Sequence, residues 1–197
     1  MRFQIVDLSV NIKSEIANLQ SAIPMNVLEL FKKVTTFIFD IDGVLTDGTV
    51  LVLTDGLQAR QMHVKDGLGL QMAVKNGYRV FIISGGYSEE SKIRLESLGI
   101  KEVYLAIEDK LSFITDLLKK NNLKWEETLY MGDDIPDLPL LEKAGLSCCP
   151  ADAVSEIKNM VKYISPVNGG RGCVRDVIEK VLKLNSHWKF ETRVTSK

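Results

Sequence analysis

Five carboxylates follow two short apolar segments of the sequence, at 36–39 and 128–131. They are Asp40, Asp42, Asp133, Asp134 and Asp137. Like charges brought that close repel one another and lose hydration unless a cation lies among them. Carboxylate oxygens without a neighbouring His or Cys favour Mg²⁺. The sequence therefore predicts a magnesium site, provided that the fold brings the two groups together.

Two other polar groups follow apolar segments in the same way. Ser84 comes directly after the segment 79–83, and Lys110 stands near the start of a helical stretch that follows 103–105. Taken alone, a serine at this place is more often a turn or cap residue, and a lone lysine is usually solvated. Four successive apolar segments with a polar group after each are harder to explain by structure alone.

Alternating strands and helices must position these groups. Short apolar runs predict strands at 36–39, 79–83, 103–105, 128–131 and 146–149. Helical patterns lie between and after them, at 67–76, 88–98, 109–121, 135–144, 153–160 and 173–184. Apolar strands separated by helices are typical of a doubly wound, Rossmann-like parallel sheet in an α/β fold. Ligands of such sheets bind beyond the carboxyl ends of the strands, so the polar groups are expected on one rim.

One segment interrupts this alternation after the first strand. Two extended runs flank an Asp-Gly pair at 55–56, which is a strong signal for a β-hairpin over about 48–64. The predicted organisation is a helical extension at 1–34, a main domain at 35–185 and a flexible tail at 186–197.

The composition excludes several classes of protein. The 25 Lys+Arg residues nearly balance the 26 Asp+Glu residues, so the basic excess of a nucleic-acid binder is missing. No apolar run approaches the roughly 20 residues of a membrane span. Asp7, Lys13 and Glu15 interrupt any signal-peptide core, and the three cysteines fit neither a disulfide framework nor a zinc site. We expect a cytoplasmic protein that binds neither nucleic acid nor membranes.

The polar segments together resemble the four motifs of the haloacid dehalogenase (HAD) superfamily of phosphatases. These segments are 40–44 (DIDGV), Ser84, Lys110 and 132–137 (GDDIPD). Ser84 follows Asp40 by 44 positions, Lys110 follows Ser84 by 26, and Asp133 follows Lys110 by 23. The resemblance implies Mg²⁺ and the hydrolysis of a phosphate ester. A carboxylate attacking a phosphate dianion needs its charge offset, which a divalent cation can do.

The resemblance also implies a role for each residue. Asp40 would be the nucleophile that forms an aspartyl-phosphate, and Asp42 the general acid and base. Ser84 and Lys110 would hold the phosphoryl oxygens. Mg²⁺ would be bound by Asp40, the backbone carbonyl of Asp42 and Asp133. Asp134 and Asp137 would orient those ligands.

The hairpin stands where many HAD enzymes carry a cap domain, so the chain resembles the capless class. Segments 42–48, 64–69, 151–153 and 169–175 resemble the 3-deoxy-D-manno-octulosonate 8-phosphate (KDO 8-phosphate) phosphatases. That resemblance implies a homotetramer in which the hairpins meet at the centre and C-terminal segments lie over adjacent active sites.

The same resemblance implies a set of substrate-binding residues. They are His63, Val64, Lys65, Asp66, Gly67, Gln71, Gly85, Arg94 and Lys110. Arg171 and Arg175 are candidates for an anion contact across a subunit boundary. The family commonly has Arg where this chain has Lys65, Gln71 and Gly86, so the sugar end of the pocket is less basic. The favoured substrate is KDO 8-phosphate, and 2-keto-3-deoxynononate 9-phosphate and N-acetylneuraminate 9-phosphate stay open as alternatives.

Two functions of other classes share part of this pattern. A signalling receiver domain also uses clustered aspartates, Mg²⁺, a hydroxyl residue and a lysine, but its phosphoryl group persists. An acid and base at Asp42 serves turnover instead. A non-catalytic HAD module that binds or regulates another enzyme would lack a motif residue, and none is missing here.

Overall fold

The computed structural model describes residues 26–54 and 56–189. The elements in chain order are α1 (Val27–Lys33), β1 (Thr36–Phe39), β2 (Leu51–Val52), β3 (Gln58–Ala59), α2 (Val64–Lys75), β4 (Arg79–Ile83), α3 (Glu89–Ser97), β5 (Glu102–Tyr104), α4 (Lys110–Lys120), β6 (Thr128–Met131), α5 (Leu138–Lys143), β7 (Leu146–Cys149), α6 (Ser155–Lys158), β8 (Tyr163–Ile164) and α7 (Cys173–Leu184). In both described ranges, no helix combines the length and the apolar character needed to cross a membrane.

Six strands form one parallel sheet in the order β5-β4-β1-β6-β7-β8. β1 lies in the middle, with Phe37 opposite Val80 on one neighbour and Leu129 on the other. All four residues of β1 are fully buried, as expected of a strand covered on both faces. The prediction of a doubly wound α/β fold is confirmed.

Apolar side chains fill the space on each side of the sheet. On one face, Phe37 and Phe39 belong to a cluster with Val177 of α7 and Leu70 of α2. On the other face, Ile38 packs in a cluster formed largely with α4 and α5. Because β1 is fixed from both sides, the loop after Phe39 starts from a rigid position.

The predicted strands match the structure closely, and the differences have local causes. β5 begins one residue early, and the sequence pattern missed β8, which has only two residues. The predicted helix 135–144 is divided into a 3-10 turn at Ile135–Asp137 and the short helix α5. α2 begins at Val64 rather than 67, because Gly67 and Gly69 weaken the helical signal of its first turns.

The predicted hairpin is confirmed. β2 and β3 pair antiparallel, and Gly56 in the turn has a φ of +81°, which favours glycine. Leu51 and Val52 are 64% and 67% exposed, so this hairpin presents apolar side chains to its surroundings.

The two ends of the chain fall partly outside the described residues. Of the predicted helical extension, α1 is described, and the prediction for residues 1–25 lies outside the described residues. The segment 186–197, predicted as a flexible tail, begins with contacts to the domain. The Tyr78 hydroxyl lies 2.9 Å from His187 Nδ1, and Trp188 stacks on the Arg175 guanidinium. Residues 190–197 lie outside the described ranges.

Candidate active site

A cavity of about 320 Å³ lies at the carboxyl ends of β1, β4 and β6. The structure brings to it every residue predicted to be catalytic, to hold the metal or to orient its ligands. These residues are Asp40, Asp42, Ser84, Lys110, Asp133, Asp134 and Asp137. The parallel sheet places them together because each follows the same end of a strand or begins the helix beyond it.

Lys110 lies between two of the aspartates. Its Nζ is 3.1 Å from Asp40 Oδ2 and 2.8 Å from Asp137 Oδ1. Burial acts to lower the pKa of Lys110, but the negative charges of Asp40 and Asp137 raise it overall. The ammonium group therefore stays charged in the floor of the cavity.

Asp137 is held from several directions. Its Oδ1 accepts hydrogen bonds from Lys110 and from the Tyr130 hydroxyl at 2.6 Å, and its Oδ2 accepts one from the Asp133 backbone N–H at 3.1 Å. Burial, followed by the charges of Asp137 and Asp40, raises the pKa of Tyr130 well above its usual range. The hydroxyl therefore remains a donor, and Asp137 is fixed in place.

Three carboxylates form a cluster that fits a divalent cation. Asp40, Asp133 and Asp137 each offer an oxygen, and these atoms lie within 4.8 Å of one another. Burial and then the charge of Asp137 raise the pKa of Asp40 to about 7, although Lys110 opposes the shift. Burial and the charges of Asp137 and Asp40 raise the pKa of Asp133 to about 7. The positive charge of Lys110 does not balance the negative charges of these carboxylates. Hard oxygen donors of this kind suit Mg²⁺.

Two glycines let the backbone approach these carboxylates closely. A Cβ at Gly43, whose φ is +83°, would collide with the Asp133 carboxylate. A Cβ at Gly132 would collide with Asp137. The glycines of the two motifs are therefore required by the packing of the aspartates.

Ser84 also lines the cavity. It is 3% exposed, and its Oγ accepts a hydrogen bond from the Gly86 backbone N–H at 3.1 Å. Gly85 and Gly86 line the cavity beside it. This wall offers a hydroxyl and an open backbone to an incoming anion.

Asp134 and Asp42 occupy the more exposed edge. Asp134 accepts a hydrogen bond from the Ile135 backbone N–H at 2.7 Å and caps the 3-10 turn. The Asp42 side chain is bound by Arg60, whose Nε lies 2.6 Å from Asp42 Oδ1. Asp42 thus reaches the cavity mouth from the side of the hairpin.

Within a single chain, the predicted substrate-binding residues do not all lie at the cavity. Gly85 and Lys110 line the cavity. A narrow internal space is lined instead by His63, Asp66, Gly67 and Arg94. Val64 is exposed, Gln71 is half-buried, and neither lines the cavity.

Asp66 lies apart from the cavity, against the start of α7. It is 1% exposed, and its Oδ1 accepts a hydrogen bond from the Arg175 backbone N–H at 2.6 Å. Burial raises the pKa of Asp66. One oxygen of Asp66 is therefore engaged by the backbone of α7, and the predicted contact with substrate stays a prediction.

Lys65, Arg171 and Arg175 line a second groove of about 320 Å³ at the start of α7. Arg171 pairs with Asp47 at 3.1 Å, and Arg175 pairs with Glu179 at 2.7 Å. Both guanidinium groups therefore already have carboxylate partners within the chain. The predicted contact across a subunit boundary stays a prediction.

Sequence reasoning missed two residues of the site, Arg60 and Tyr130. In the sequence, Tyr130 fits the apolar pattern of β6, and no neighbouring residue indicates that its hydroxyl has a partner. Arg60 is the only arginine or lysine in the second half of the hairpin, at 58–63. This half follows Asp42 closely along the chain. The short distance in sequence between Arg60 and Asp42 was the only signal that the two side chains could meet.

The chain is similar to known phosphatases over most of its length. Residues 99–178 match the family of haloacid dehalogenase-like hydrolases. The chain is 32% identical to the 3-deoxy-D-manno-octulosonate 8-phosphate phosphatase KdsC of Escherichia coli (strain K12) over 169 residues, which cover 86% of this chain and 90% of that protein. The chain belongs to the HAD phosphatases.

Solved structures of HAD phosphatases share the fold. The 3-deoxy-D-manno-octulosonate 8-phosphate phosphatase from Yersinia pestis has a TM-score of 0.80 at 30% identity, over 82% of this chain and 87% of that one. The corresponding phosphatase from Moraxella catarrhalis, in complex with a magnesium ion, a phosphate ion and KDO, has a TM-score of 0.78 at 33% identity. The alignment covers 82% of this HAD chain and 93% of that one.

Proposed function

We propose that this HAD phosphatase hydrolyses KDO 8-phosphate to KDO and phosphate, with Mg²⁺ and an aspartyl-phosphate intermediate. The observation that carries the proposal is the Asp40 carboxylate, which lies 3.1 Å from Lys110 Nζ within a cluster of three carboxylates. A nucleophile, a fixed cation and under-compensated oxygen ligands at one rim are the parts that phosphoryl transfer needs.

Asp40 and Asp133 are the residues that would hold Mg²⁺, together with the predicted backbone carbonyl of Asp42. Both oxygens of Asp137 are engaged by hydrogen bonds, so Asp137 positions Lys110 and Asp133 rather than the ion. When bound, the ion offsets the charges of nucleophile and substrate.

The first step transfers the phosphoryl group to the protein. An Asp40 oxygen forms a bond to phosphorus as the bond from phosphorus to the ester oxygen breaks. The Asp42 carboxyl group gives its proton to the leaving alkoxide. Ser84 and the charged Lys110 stabilise the negative charge on the phosphoryl oxygens.

The second step returns Asp40 to its carboxylate form. Asp42, now ionised, takes a proton from a water molecule whose oxygen bonds to phosphorus. The bond from phosphorus to Asp40 breaks, and phosphate leaves. Asp42 ends protonated, as it began, so the two steps together consume one water molecule.

The substrate assignment draws on the relatives and on the size of the site. The Moraxella catarrhalis phosphatase holds KDO and phosphate, and a cavity of about 320 Å³ accommodates a phosphoryl group with part of a sugar acid. Gln71 and Gly86 still distinguish this chain from its family, so the two nine-carbon sugar-acid phosphates are tested beside KDO 8-phosphate.

The same proposal includes a cytoplasmic homotetramer. The exposed apolar residues of the hairpin support association, and an open cavity without a cap domain needs a further wall. Residues such as Lys65 and Arg94, which lie away from the cavity in one chain, are then available to a neighbouring subunit. The three cysteines are buried and unpaired, which suits a reducing compartment.

Release of inorganic phosphate from the three sugar-acid phosphates, with an aryl phosphate as reference, tests the proposal. We expect KDO 8-phosphate to have the highest kcat/KM, Mg²⁺ to be required, and Asp40→Asn to abolish turnover. Asp116→Asn, on the exposed face of α4, is the matched control and should retain activity. Substantial turnover by Asp40→Asn would remove the assignment of the nucleophile. Equal slow rates on all four substrates would remove the sugar-acid assignment.

A further inference from the structure

The hairpin places one buried charge beside the cavity. The Arg60 side chain is only 7% exposed, although it follows directly after the exposed strand β3. It lines a groove of about 250 Å³ with Met62, Ser88 and Arg94. A buried guanidinium is costly unless it is paired, so its partner shows what holds it there.

That partner is Asp42, the proposed acid and base. Arg60 Nε lies 2.6 Å from Asp42 Oδ1, and Nη2 lies 3.3 Å from Oδ2. Two parallel contacts from one planar group fix the orientation of a carboxyl group as well as its position. Asp42 is itself 38% exposed in its side chain, so without Arg60 it is free to turn toward solvent.

Gly86 provides the space for this pair. A Cβ at position 86 would lie 3.1 Å from Asp42 Oδ2, 3.5 Å from Ser84 Oγ and 3.8 Å from Arg60 Nη2. A long side chain at this position would compete with Arg60 for the same place. The family commonly has an arginine at position 86, so the sequence predicts that a positive charge is missing there. In the structure, the Arg60 guanidinium from the hairpin lies beside this position.

We propose that Arg60 is a positioning residue, which holds the Asp42 carboxyl group through its short contact with Oδ1, so that Oδ2, on the side of Gly86, can carry the proton and give it to the leaving oxygen. This inference rests on the proposed phosphatase function. It assigns to the hairpin a part in the chemical step, in addition to any part in assembly.

The dependence of kcat/KM on the leaving group tests this role. We would use a series of simple alkyl and aryl phosphates without a carboxylate, so that recognition of a sugar acid plays no part. An alkoxide needs a proton from Asp42 as it leaves, whereas a nitrophenolate does not. Arg60→Gln is expected to lower kcat/KM roughly 10-fold or more for alkyl phosphates and less than about 3-fold for 4-nitrophenyl phosphate.

Two further variants keep the test independent of folding. Arg60→Lys retains the charge but loses the two-point contact. The dependence of its kcat/KM on the leaving group should lie between those of the wild type and Arg60→Gln. Gly86→Ala leaves Arg60 in place but presses on Asp42 Oδ2, and should steepen the leaving-group dependence as Arg60→Gln does. Arg79→Gln removes an arginine paired with Glu102 at the amino end of β4, and is the control expected to match the wild type.

Each other result overturns the proposal. An equal loss on alkyl and aryl phosphates would show a structural role for Arg60. An unchanged series, with a loss confined to sugar-acid phosphates, would show a role in substrate binding. In both cases the wild type remains a phosphatase, whereas a wild type inactive on every phosphate would instead remove the proposed function.

Discussion

At the scale of single residues, Asp40 and Asp133 are held in an environment that disfavours their charged forms. Burial and neighbouring carboxylates raise the pKa of each to about 7, against 3.8 in the unfolded chain. Between about pH 4 and pH 7 the folded protein therefore binds more protons than the unfolded chain. The free energy of unfolding of the metal-free protein falls as the pH rises through that window.

Mg²⁺ binding should reverse this loss, because the ion binds the ionised carboxylates. We expect Mg²⁺ to raise the unfolding temperature clearly at pH 8 and little at pH 5. At a concentration 100 times its Kd, the ion adds about 2.7 kcal/mol to the free energy of unfolding. Calorimetry of the wild type and of Asp133→Asn measures the effect, with Asp116→Asn as control. An increase in unfolding temperature that is equal at both pH values, or that persists in Asp133→Asn, would contradict the assignment of Asp133 as a ligand of Mg²⁺.

At the scale of elements, one buried carboxylate joins two helices that are distant in sequence. α7 begins after Gly172, whose φ is +119° and which offers no capping side chain. Asp66, in the first turn of α2, accepts the hydrogen bond from the Arg175 backbone N–H instead. This contact fixes the start of α7 against α2, next to the glycine-rich loop at 169–172.

Two substitutions at Asp66 separate its hydrogen bond from its charge. Asp66→Ala removes the acceptor and should lower the free energy of unfolding by about 1 kcal/mol, the usual cost of a lost cap. Asp66→Asn keeps an acceptor and removes a buried charge, so it should be as stable as the wild type or more so. Urea unfolding measures both. If Asp66→Asn is destabilised as much as Asp66→Ala, the carboxylate charge is needed and the capping role is wrong.

The elements also show how far sequence reasoning reaches. Strands such as β1, β4 and β6 are predictable, because complete burial leaves an apolar run that ends in a polar turn. The polar residues after those runs are predictable for the same reason, and all of them line one cavity. Arg60 and Tyr130 are not, since their roles depend on which side chain the folded chain brings beside Asp42 and Asp137. β8 is too short to leave a pattern.

At the scale of the whole molecule, the hairpin is a segment of the described chain whose apolar side chains face outward. Leu51, Val52 and Leu57 are all exposed, and exposed apolar patches of this kind mark surfaces for association. Closure of the cavity and assembly would then depend on the same segment.

Val52→Asp tests the assembly. It places a charge on the exposed face of the hairpin and should shift the mass in solution from four chains of 22.1 kDa toward one, with a fall in activity on sugar-acid phosphates. Leu28→Asp, at another exposed apolar position, is the control that should remain assembled. Light scattering measures the mass. A wild type at 22.1 kDa, or a Val52→Asp protein that stays assembled, would contradict the homotetramer.

The central place of β1 in the sheet has a consequence for synthesis of the protein. β1 emerges early from the ribosome, but its partner β6 ends only at Met131. At ordinary rates of translation, a ribosome needs roughly 5 to 20 s to add the residues between them. For that time the apolar strand that precedes Asp40 has a free edge. Nascent chains stalled before Met131 are therefore expected to be aggregation-prone, and chaperones that shield apolar segments should bind them.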